Sequence, residues 1–482
     1  MAAEPSLALL RHRPWRLHWP LLIPLADGAS LRLERALLWK KGRYLSCAGF
    51  LDGQPVAVLW LVSRRAPALA LRHLAALNRL AGKELKFAPL LRHEQLAQGE
   101  LLVFAGDASH WPLMGDDRLD AAFVDSNEEL QRSALARVME NLGRLHAQAV
   151  SLADPLPLTL GSMDADTRRP LLPLQPLACL HRRAASRQQA ELAELLATVP
   201  PRHDDAAEQL LQSYRQAGGK LPCDLAKLIR QRQRARRQLL SARLADAGRE
   251  SWGFAHYRSW RRTVTVARHR EPALADVLAD PQAAMRDAEP LKLGTSNTVV
   301  RADARDGAVV IKRYNMKTWL VRLKRLARAS RPEDAWRAIH AFRILGIATA
   351  APQALIRAKQ GVFYGLAWMV NDYVEAPAIS VRLQPCLEAG NLPPDLARQL
   401  RAFFAAMHAA TLSHGDLKHR NLLWPETGPL LIDMDAACYH GRAGRRFQRA
   451  WSEDRRRFLA NWPEGSPLRE QLDTLLPGEY RQ

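Results

Sequence analysis

Two acidic residues on either side of a short predicted β-hairpin constrain this chain more than any other feature of its sequence. Apolar runs at residues 422–424 and 430–432 flank a Thr-Gly-Pro sequence at 427–429, and this pattern predicts two short strands joined by a turn. Asp416 precedes the first strand on a loop, and Asp433 ends the second. The hairpin therefore brings two carboxylates to the same end of one small structure.

An arrangement of this kind suits phosphoryl transfer. One carboxylate, Asp416, would accept the proton of an attacking hydroxyl, and Asp433 would hold Mg²⁺ against nucleotide phosphates together with an amide oxygen. Asn421 supplies that amide five residues after Asp416, which is the spacing of a kinase catalytic loop. The alternative is that His414-Gly-Asp forms an ordinary polar turn, but both halves of the motif occur in the expected order.

An upstream strand supplies a candidate phosphate anchor. The apolar run at 308–312 predicts a strand that ends in Lys312, where a kinase-like fold places the side chain that pairs with the α- and β-phosphates. Residues 293–301 would form the turn over the phosphates, with a single glycine, Gly294. Backbone N–H groups and the hydroxyl of Ser296 can cradle phosphate in such a turn.

A helix is predicted to begin near Arg331, with two acids in its first turn. Glu333 is the candidate ion-pair partner of Lys312, and Asp334 is the second choice. The alternative for either acid is a solvated position at the helix start that complements the helix dipole.

These motifs together resemble the lipopolysaccharide kinase family, bacterial kinase-like enzymes that phosphorylate inner-core sugars. The resemblance covers roughly residues 260–462. The stretches that carry it are Val-Ile-Lys312, Ala-Ser-Arg-Pro-Glu-Asp-Ala-Trp336, Leu345-Gly-Ile347 with Pro352, His414-Gly-Asp-Leu-Lys-His-Arg-Asn421 and Ile-Asp-Met-Asp435.

The resemblance implies a role for each matched residue. Asp416 is the expected base, Asn421 and Asp433 are the expected Mg²⁺ ligands, and Lys312 is the expected phosphate anchor. Lys418 is expected to neutralise the transferring phosphoryl group, and Asp435 to support the site. No carboxylate directly precedes Trp336, where relatives carry one, and this departure puts the role of Glu333 in question.

The N-terminal half resembles a degenerate copy of the same fold. A Leu-His-Ala helix end at 145–147 aligns with Met-His-Ala at 407–409, which places Asp154 on Asp416 without gaps. The Asp-Gly pairs at 52–53 and 306–307 place Val58 on Lys312. A strand at 56–62, a helix at 68–80 and a strand at 101–104 keep the expected order, and helices at 182–211 and 225–247 break at Pro200-Pro201 and Gly218-Gly219. Asp164 and Asp166 match Asp433 and Asp435 only across a gap. An unrelated helical domain is the alternative.

The sequence thus predicts an α+β fold built from two tandem protein-kinase-like bilobal domains, each with a small β-rich lobe and a helical lobe. Residues 1–250 form the degenerate and inactive domain, and residues 251–482 form the catalytic one. Five scattered cysteines without a C-x-x-C pair predict neither a zinc site nor disulfides. The apolar runs are shorter than the about 18–20 residues that span a bilayer, and no signal peptide is recognised. We therefore expect a cytoplasmic protein.

A strongly basic composition predicts an anionic partner. The chain has 482 residues, with 70 Lys and Arg against 49 Asp and Glu, a net charge of +21, and its 48% hydrophobic content excludes a disordered polycation. Cations cluster at 312–331, 230–237 and 442–449, and the first cluster has the spacing of a basic amphipathic helix. We expect peripheral contact with the inner-membrane surface through 312–331 and 442–449. No nucleic-acid partner is expected, because no nucleic-acid-binding motif occurs.

The predicted activity is that of a phosphotransferase with an alcohol group as acceptor, which uses ATP and Mg²⁺. Its expected substrate is an anionic glycolipid, the lipopolysaccharide core, phosphorylated on heptose or Kdo. Two alternatives stay open: a non-catalytic scaffold or regulator of core assembly, and a kinase for another small-molecule or protein hydroxyl.

Overall fold

The computed structural model describes residues 5–108, 128–152, 171–180, 184–220, 225–294, 297–315, 331–360 and 363–478. Within them the chain has the expected mixed α+β fold. It divides into two compact units, Met1–Leu239 (unit 1) and Leu240–Gln482 (unit 2). Several sequence predictions fall outside the described residues, namely those on Asp154, Asp164, Asp166, Ser296 and the basic helix over 316–330.

The described α-helices are α1 Leu7–His12, α2 Ala66–Leu80, α3 Glu128–Ala147, α4 Ala184–Thr198, α5 Ala207–Gln216, α6 Leu225–Asp246, α7 Ala275–Ala279, α8 Pro281–Ala284, α9 Arg331–Ile344, α10 Ile379–Ala389, α11 Pro394–Ala409, α12 Arg445–Leu459 and α13 Pro467–Leu475. The described strands are β1 Leu21–Pro24, β2 Ser30–Lys40, β3 Tyr44–Leu51, β4 Gln54–Leu61, β5 Leu90–Leu96, β6 Gly99–Ala105, β7 Val150–Leu152, β8 Leu177–Cys179, β9 Phe254–Arg258, β10 Arg262–Ala267, β11 Glu289–Leu293, β12 Asn297–Ala304, β13 Gly307–Tyr314, β14 Pro352–Gln360, β15 Phe363–Asp372, β16 Leu412–Ser413, β17 Leu422–Leu423, β18 Leu430–Leu431 and β19 Cys438–Tyr439. In the part of the chain that these ranges cover, no helix is both long and apolar enough to cross a membrane.

Unit 1 is built on a six-stranded antiparallel sheet in the order β1-β2-β3-β4-β6-β5. Its central strand β4 is buried from Val56 to Leu61, as its apolar sequence predicts. Helix α2 buries Ala66, Ala70, His73, Ala76 and Leu80 at helical spacing, and part of that face packs with the sheet in one apolar cluster. The predicted breaks in the helical region are confirmed, because α4 ends before Pro200 and α5 ends before Gly218.

Unit 2 is built on a seven-stranded antiparallel sheet in the order β11-β12-β13-β15-β14-β10-β9. The predicted strand that ends near Lys312 is confirmed as β13, and the predicted helix near Arg331 is confirmed as α9. Helix α9 buries Trp336, Ile339 and Phe342, so its apolar side packs inward. Alternating residues of β10, β12, β13, β14 and β15 form the apolar core of this sheet.

The two sheets share a five-strand pattern. In unit 1 the strands β2-β3-β4-β6-β5 are neighbours in that order, and helix α2 connects β4 to β5. In unit 2 the strands β11-β12-β13-β15-β14 follow the same order, and helix α9 precedes β14. Each unit thus has three antiparallel strands, then a helix, then a two-stranded hairpin. The second strand of the hairpin, β6 or β15, pairs with the third strand of the first set, β4 or β13.

The strand registers correct one residue assignment. Leu51 pairs with Gln54 at the β3–β4 turn, and Ala304 pairs with Gly307 at the β12–β13 turn. Lys312 is the fifth residue after Gly307, and the fifth residue after Gln54 is Leu59, not Val58 as the Asp-Gly alignment predicted. The alignment was wrong because the Asp-Gly pair occupies different positions in the two turns. In unit 1 Asp52 and Gly53 are the two turn residues, whereas in unit 2 Asp306 is the last turn residue and Gly307 is the first residue of β13.

Candidate active site

The candidate catalytic loop begins where a short strand ends. Helix α11 stops at Ala409, Thr411 takes a left-handed conformation with φ 54°, and β16 then pairs with β19. The chain continues through the His-Gly-Asp sequence to a 3₁₀ turn at His419–Asn421. The loop is therefore fixed at both ends by hydrogen-bonded structure.

The predicted hairpin is confirmed. Leu422 pairs with Leu431 and Leu423 with Leu430, with Gly428 in the turn at φ 103°. The backbone N–H of Ile432 donates to the carbonyl of Asn421 at 3.0 Å. Asn421 and the segment that leads into Asp433 are thus held side by side.

His414 joins the two halves of the motif. The side chain is fully buried, and its Nε2 lies 2.9 Å from the carbonyl oxygen of Ile432. Its Nδ1 accepts a hydrogen bond from the backbone N–H of Asp416 at 3.3 Å. Burial holds the pKa of His414 below its ordinary value, so the ring stays neutral, donates from Nε2 and accepts at Nδ1. The backbone before Asp433 is therefore fixed relative to Asp416.

Gly415 is required by its backbone conformation and by its neighbour. Its φ is +77°, and a Cβ at this position would lie 2.5 Å from the carbonyl oxygen of Ala436. No L-residue combines this φ with such a close contact without strain. The close approach of the loop to the segment after Asp433 therefore depends on this glycine.

Asp416 lies between two cations and is about one-third exposed. Its Oδ1 is 2.9 Å from Lys418 Nζ and 3.1 Å from Arg457 Nη1. The amide nitrogen of Asn421 donates to the backbone carbonyl of Asp416 at 2.9 Å. The carboxylate is thus both accessible and oriented, as a base that receives a hydroxyl proton must be.

Two residues of helix α12 belong to this site and were missed by the sequence analysis. Asp454 accepts hydrogen bonds from the backbone N–H groups of His414 at 2.6 Å and Gly415 at 2.8 Å, and it is completely buried. Burial raises the pKa of Asp454 to about 6. Arg457 donates to the carbonyl of Gly415 as well as to Asp416.

One signal in the sequence marks Asp454. The buried stripe of α12 includes Phe447, Trp451 and Phe458, and Asp454 continues that stripe at helical spacing. A carboxylate on an apolar helix face must find hydrogen-bond donors when it is buried. The pattern predicts a buried polar contact, although not its partner.

Lys312 contacts two carboxylates. Its Nζ lies 2.5 Å from Oδ1 of Asp433 and 2.8 Å from Oδ1 of Asp435, and the lysine is 8% exposed. Asp433 itself is left-handed, with φ 57° and ψ 55°. Burial alone would raise the pKa of Asp433, but the Lys312 ammonium outweighs it and holds that pKa below its ordinary value. Asp433 is therefore ionised and contacts the lysine that the sequence predicts as the phosphate anchor.

The structure pairs Glu333 with Arg357 of β14. Asp334 is exposed on the first turn of α9. The carboxylates seen at Lys312 are thus those that follow the hairpin rather than those that begin α9.

The candidate phosphate loop closes on itself. The N–H of Gly294 donates to the carbonyl of Asn297 at 3.2 Å, and the Asn315 amide donates to the carbonyl of Gly294 at 3.3 Å. The second contact joins Gly294 to the residue that follows β13, three residues beyond Lys312.

The donor set fits a nucleotide-bound Mg²⁺. Asn421 uses its amide nitrogen on Asp416, which leaves the amide oxygen as the cation-binding atom, and Asp433 is an ionised carboxylate. Mg²⁺ in phosphotransferases takes one or two carboxylates together with substrate phosphates, not a complete protein cage.

Unit 1 has the same framework with different side chains. Parallel bridges join Phe87 to Leu171 in unit 1 and Thr349 to Leu431 in unit 2. Counted from these bridges, Pro173 stands where Asp433 stands, and Gln175 stands where Asp435 stands. Asp164 and Asp166, the matches suggested across a gap, lie outside the described residues.

The backbone contact that Asp454 makes in unit 2 also has a counterpart in unit 1. Glu191 on α4 is fully buried and accepts a hydrogen bond at 3.1 Å from the N–H of Leu152, the last residue of β7. Ala149 before β7 is left-handed with φ 52°, as Thr411 is before β16. His146 and Arg187 contact the same carboxylate at 3.1 Å and 2.7 Å.

Comparison with known proteins shows partial similarity to kinases. No family model matches the chain. Two curated relatives, the Serine/threonine-protein kinase AfsK of Streptomyces griseus and of Streptomyces coelicolor, are each 32% identical over 114 residues, or 23% of this chain. That match spans only 12% and 13% of the relatives' own lengths. The solved structure of WaaP in complex with acyl carrier protein is similar over 44% of this chain and 87% of its own, with 15% identity and a TM-score of 0.31. The 114-residue similarity supports a kinase-like protein.

Proposed function

We propose that unit 2 is an ATP- and Mg²⁺-dependent phosphotransferase that acts on a hydroxyl group. The observation that carries the proposal is the convergence of Asp416, Asn421 and Asp433 on one hairpin, with Lys312 in contact with Asp433. The similarity of a 114-residue segment to serine/threonine-protein kinases supports the same reaction class.

Each residue has a defined role in this reaction. When bound, Mg²⁺ and ATP supply the phosphoryl group and the charge neutralisation that its transfer needs. Asp416 orients the acceptor hydroxyl and takes its proton on a carboxylate oxygen. Lys312 binds the α- and β-phosphates, while Asn421 and Asp433 hold the metal. Lys418 lies 2.9 Å from Asp416 and stabilises negative charge beside it.

For the acceptor we propose an anionic sugar of a glycolipid, the lipopolysaccharide inner core, with heptose or Kdo phosphorylated. The first turn of α12 carries no acid, and Arg442, Arg445, Arg446 and Arg449 on and before it are exposed. Guanidinium groups bind phosphates and carboxylates in bidentate geometry, so this surface favours an anionic acceptor. Together with the basic sequence at 312–331 it also favours contact with an anionic membrane surface.

A hydroxyl on a protein is a second candidate acceptor. The observation that favours it is the similarity to the two Streptomyces relatives, which are serine/threonine-protein kinases. An anionic glycolipid accounts better for the exposed arginines at 442–449.

For unit 1 we propose a kinase-like domain without catalysis. Leu59, Pro173 and Gln175 occupy the positions of Lys312, Asp433 and Asp435 by strand register. Leucine and proline offer neither a cation for phosphate nor an oxygen ligand on a side chain for Mg²⁺. The retained Glu191 contact supports a structural role for this unit.

The test is transfer of labelled γ-phosphate from ATP to dephosphorylated core lipopolysaccharide and to a generic protein acceptor. Wild type is compared with Asp416→Asn, with Asp433→Asn and with Asp395→Asn, an exposed acid on α11. We expect labelling of the glycolipid by wild type and Asp395→Asn only. Labelling of protein alone would select the second acceptor, and nucleotide binding without any transfer would favour a non-catalytic scaffold.

A further inference from the structure

Asp435 has polar partners on both of its carboxylate oxygens. The side chain is 7% exposed. It forms ion pairs with Lys312, whose Nζ lies 2.8 Å from Oδ1, and with Arg331, whose Nη2 lies 2.9 Å from Oδ2. Oδ1 also accepts a hydrogen bond from the Tyr314 hydroxyl at 2.8 Å, and Oδ2 accepts one from the Asn297 amide at 3.2 Å.

These four partners come from three separate places in unit 2. Asn297 begins β12 within the candidate phosphate loop, and its carbonyl accepts a hydrogen bond from the N–H of Gly294. Lys312 and Tyr314 lie on β13, and Arg331 is the first residue of helix α9. One carboxylate therefore links Asn297 of the loop, the strand that carries Lys312 and the helix.

The geometry separates this role from that of a metal ligand. Both oxygens of Asp435 are engaged by residues of unit 2, Oδ1 by Lys312 and Tyr314 and Oδ2 by Asn297 and Arg331. Burial, followed by the Asp435 charge, raises the pKa of Tyr314 well above its ordinary value, so the hydroxyl keeps its proton and donates. Asp433, in contrast, shares one oxygen with Lys312 and is about one-third exposed.

The connection from helix α9 to the phosphate anchor also runs through this residue. Arg331 and Lys312 contact different oxygens of Asp435. Helix α9 is therefore connected to Lys312 through Arg331 and the Asp435 carboxylate. The same carboxylate orients the loop through Asn297.

We propose that Asp435 is a positioning residue that couples helix α9 and the phosphate loop to Lys312, a role that rests on the nucleotide site proposed above. It fixes where the ammonium group and the loop stand before nucleotide arrives. Arg331 is the second positioning residue, because it is the first residue of helix α9 and its side chain contacts the Asp435 carboxylate.

The sign of the effect of Asp435→Asn distinguishes this role from simple electrostatics. Removal of a negative charge near the phosphate site would strengthen nucleotide binding if Asp435 acted only through its charge. If Asp435 positions Lys312 and the loop, Asp435→Asn weakens binding by about 10-fold or more, the usual range for a supporting residue behind a ligand-binding group. A metal ligand would show its loss only in the presence of Mg²⁺, whereas a positioning residue shows it with and without the metal.

The experiment is titration calorimetry of the full chain with a non-hydrolysable ATP analogue, with Mg²⁺ and with EDTA. Wild type is compared with Asp435→Asn, Arg331→Ala and the double variant. We expect each single variant to bind about 10-fold more weakly, and the double variant to bind no more weakly than the worse single one, because both remove the same connection. Arg301→Ala is the matched control, because this arginine on β12 pairs with Glu289 instead, and its effect should add to that of Asp435→Asn.

Hydrogen exchange on the ligand-free chain supplies a readout that does not depend on nucleotide. Asp435→Asn should speed exchange both at the start of α9 and at the start of β12, while Arg331→Ala should speed it only at α9. Unchanged or tighter nucleotide binding, additive single effects, or no local change in exchange would overturn the inference. Nucleotide binding without phosphoryl transfer would count against the proposed function alone, because the calorimetric and exchange results would still report on Asp435.

Discussion

The carboxylate of Asp454 accepts a hydrogen bond from the backbone N–H of His414 at 2.6 Å, although 40 residues separate them in the chain. A second bond, from Gly415 at 2.8 Å, fixes the next peptide. Helix α12 therefore fixes the loop that carries Asp416, in addition to the strand pairing at its start.

Replacement of Asp454 by alanine should abolish most phosphoryl transfer. Two buried N–H groups would lose their acceptor, at a cost of about 1–3 kcal/mol each, and the loop would shift. A displacement of about 1 Å at the reacting group costs roughly 100-fold in rate. The measurement is kcat together with the free energy of unfolding. Asp473→Ala is the control and should retain activity. Asp473 is about half exposed, and it pairs with Arg455, which lies on the same helix as Asp454. Wild-type kcat in Asp454→Ala would contradict this role.

Gly415→Ala should damage the site more than the same change elsewhere. Gly465 has a similar φ of +72° but open space around its Cβ position, whereas Gly415 has the Ala436 carbonyl oxygen 2.5 Å away. Gly465→Ala should thus cost only the backbone strain of about 1–2 kcal/mol. We expect Gly415→Ala to cost more and to lower kcat, as measured by chemical denaturation and initial rates. Equal costs for the two variants would show that the close contact relaxes freely.

Leu59→Lys tests the strand register that makes Leu59 in unit 1 equivalent to Lys312 in unit 2. Leu59 is fully buried in the apolar cluster of the unit 1 sheet, so an ammonium group there has no partner and should destabilise unit 1 by several kcal/mol. Leu90→Lys on β5, where the side chain is 37% exposed, is the control and should be tolerated. Thermal unfolding followed by hydrogen exchange in β4 reports the effect. A tolerated Leu59→Lys that binds ATP would mean that unit 1 can hold nucleotide.

Acid should weaken unit 1 through His73. Burial lowers the pKa of His73 from 6.5 to about 3, so below pH 6.5 the unfolded chain binds a proton that the folded chain refuses. The contribution to stability is complete above pH 6.5 and is lost as the pH falls toward 3, with a slope of at most about 1.4 kcal/mol per pH unit. His73→Leu should flatten that slope while it lowers stability at neutral pH, because the N–H of Leu177 loses its acceptor.

The pH prediction is measured as the urea-unfolding midpoint between pH 4 and pH 8, with exchange in α2 as the local readout. His18→Leu, at an exposed position, is the control and should keep the wild-type slope. An unchanged slope in His73→Leu would assign the acid sensitivity to another group.

The local part of the site could be predicted from the sequence, because strand, turn and carboxylates lie within about 20 residues of one another. The order of Asp416, Asn421 and Asp433 and the hairpin between them follow from apolar runs and a turn sequence. The contacts of Asp454 and Arg457 could not be predicted, since they form between a helix and a loop some 40 residues apart. An acid on an apolar helix face predicts a buried hydrogen bond, but the sequence does not identify the donor.

Strand registers were predicted less well than strands. The Asp-Gly pairs at 52–53 and 306–307 suggested one register, and hydrogen bonding gives another that differs by one residue. A slip of one residue turns every side chain to the opposite face, so Leu59 and not Val58 occupies the position of Lys312. The partner of Lys312 shows a related limit. Acids early in α9 suggested an ion pair, but the side-chain direction that joins Lys312 to Asp435 is set by the whole fold.

The Glu191 contact in unit 1 has a consequence for how sequences of this type can change over time. Glu191 accepts a backbone hydrogen bond as Asp454 does, whereas Leu59, Pro173 and Gln175 carry neither a cation nor a carboxylate. Among related chains we expect substitutions to accumulate freely at those three positions, within the limits of burial, and to be rare at Glu191 and through residues 149–152. The substitution rate in unit 1 would then reflect selection for folding alone. The substitution rate in unit 2 would reflect selection for both folding and the proposed reaction, and the two rates can be compared within one chain.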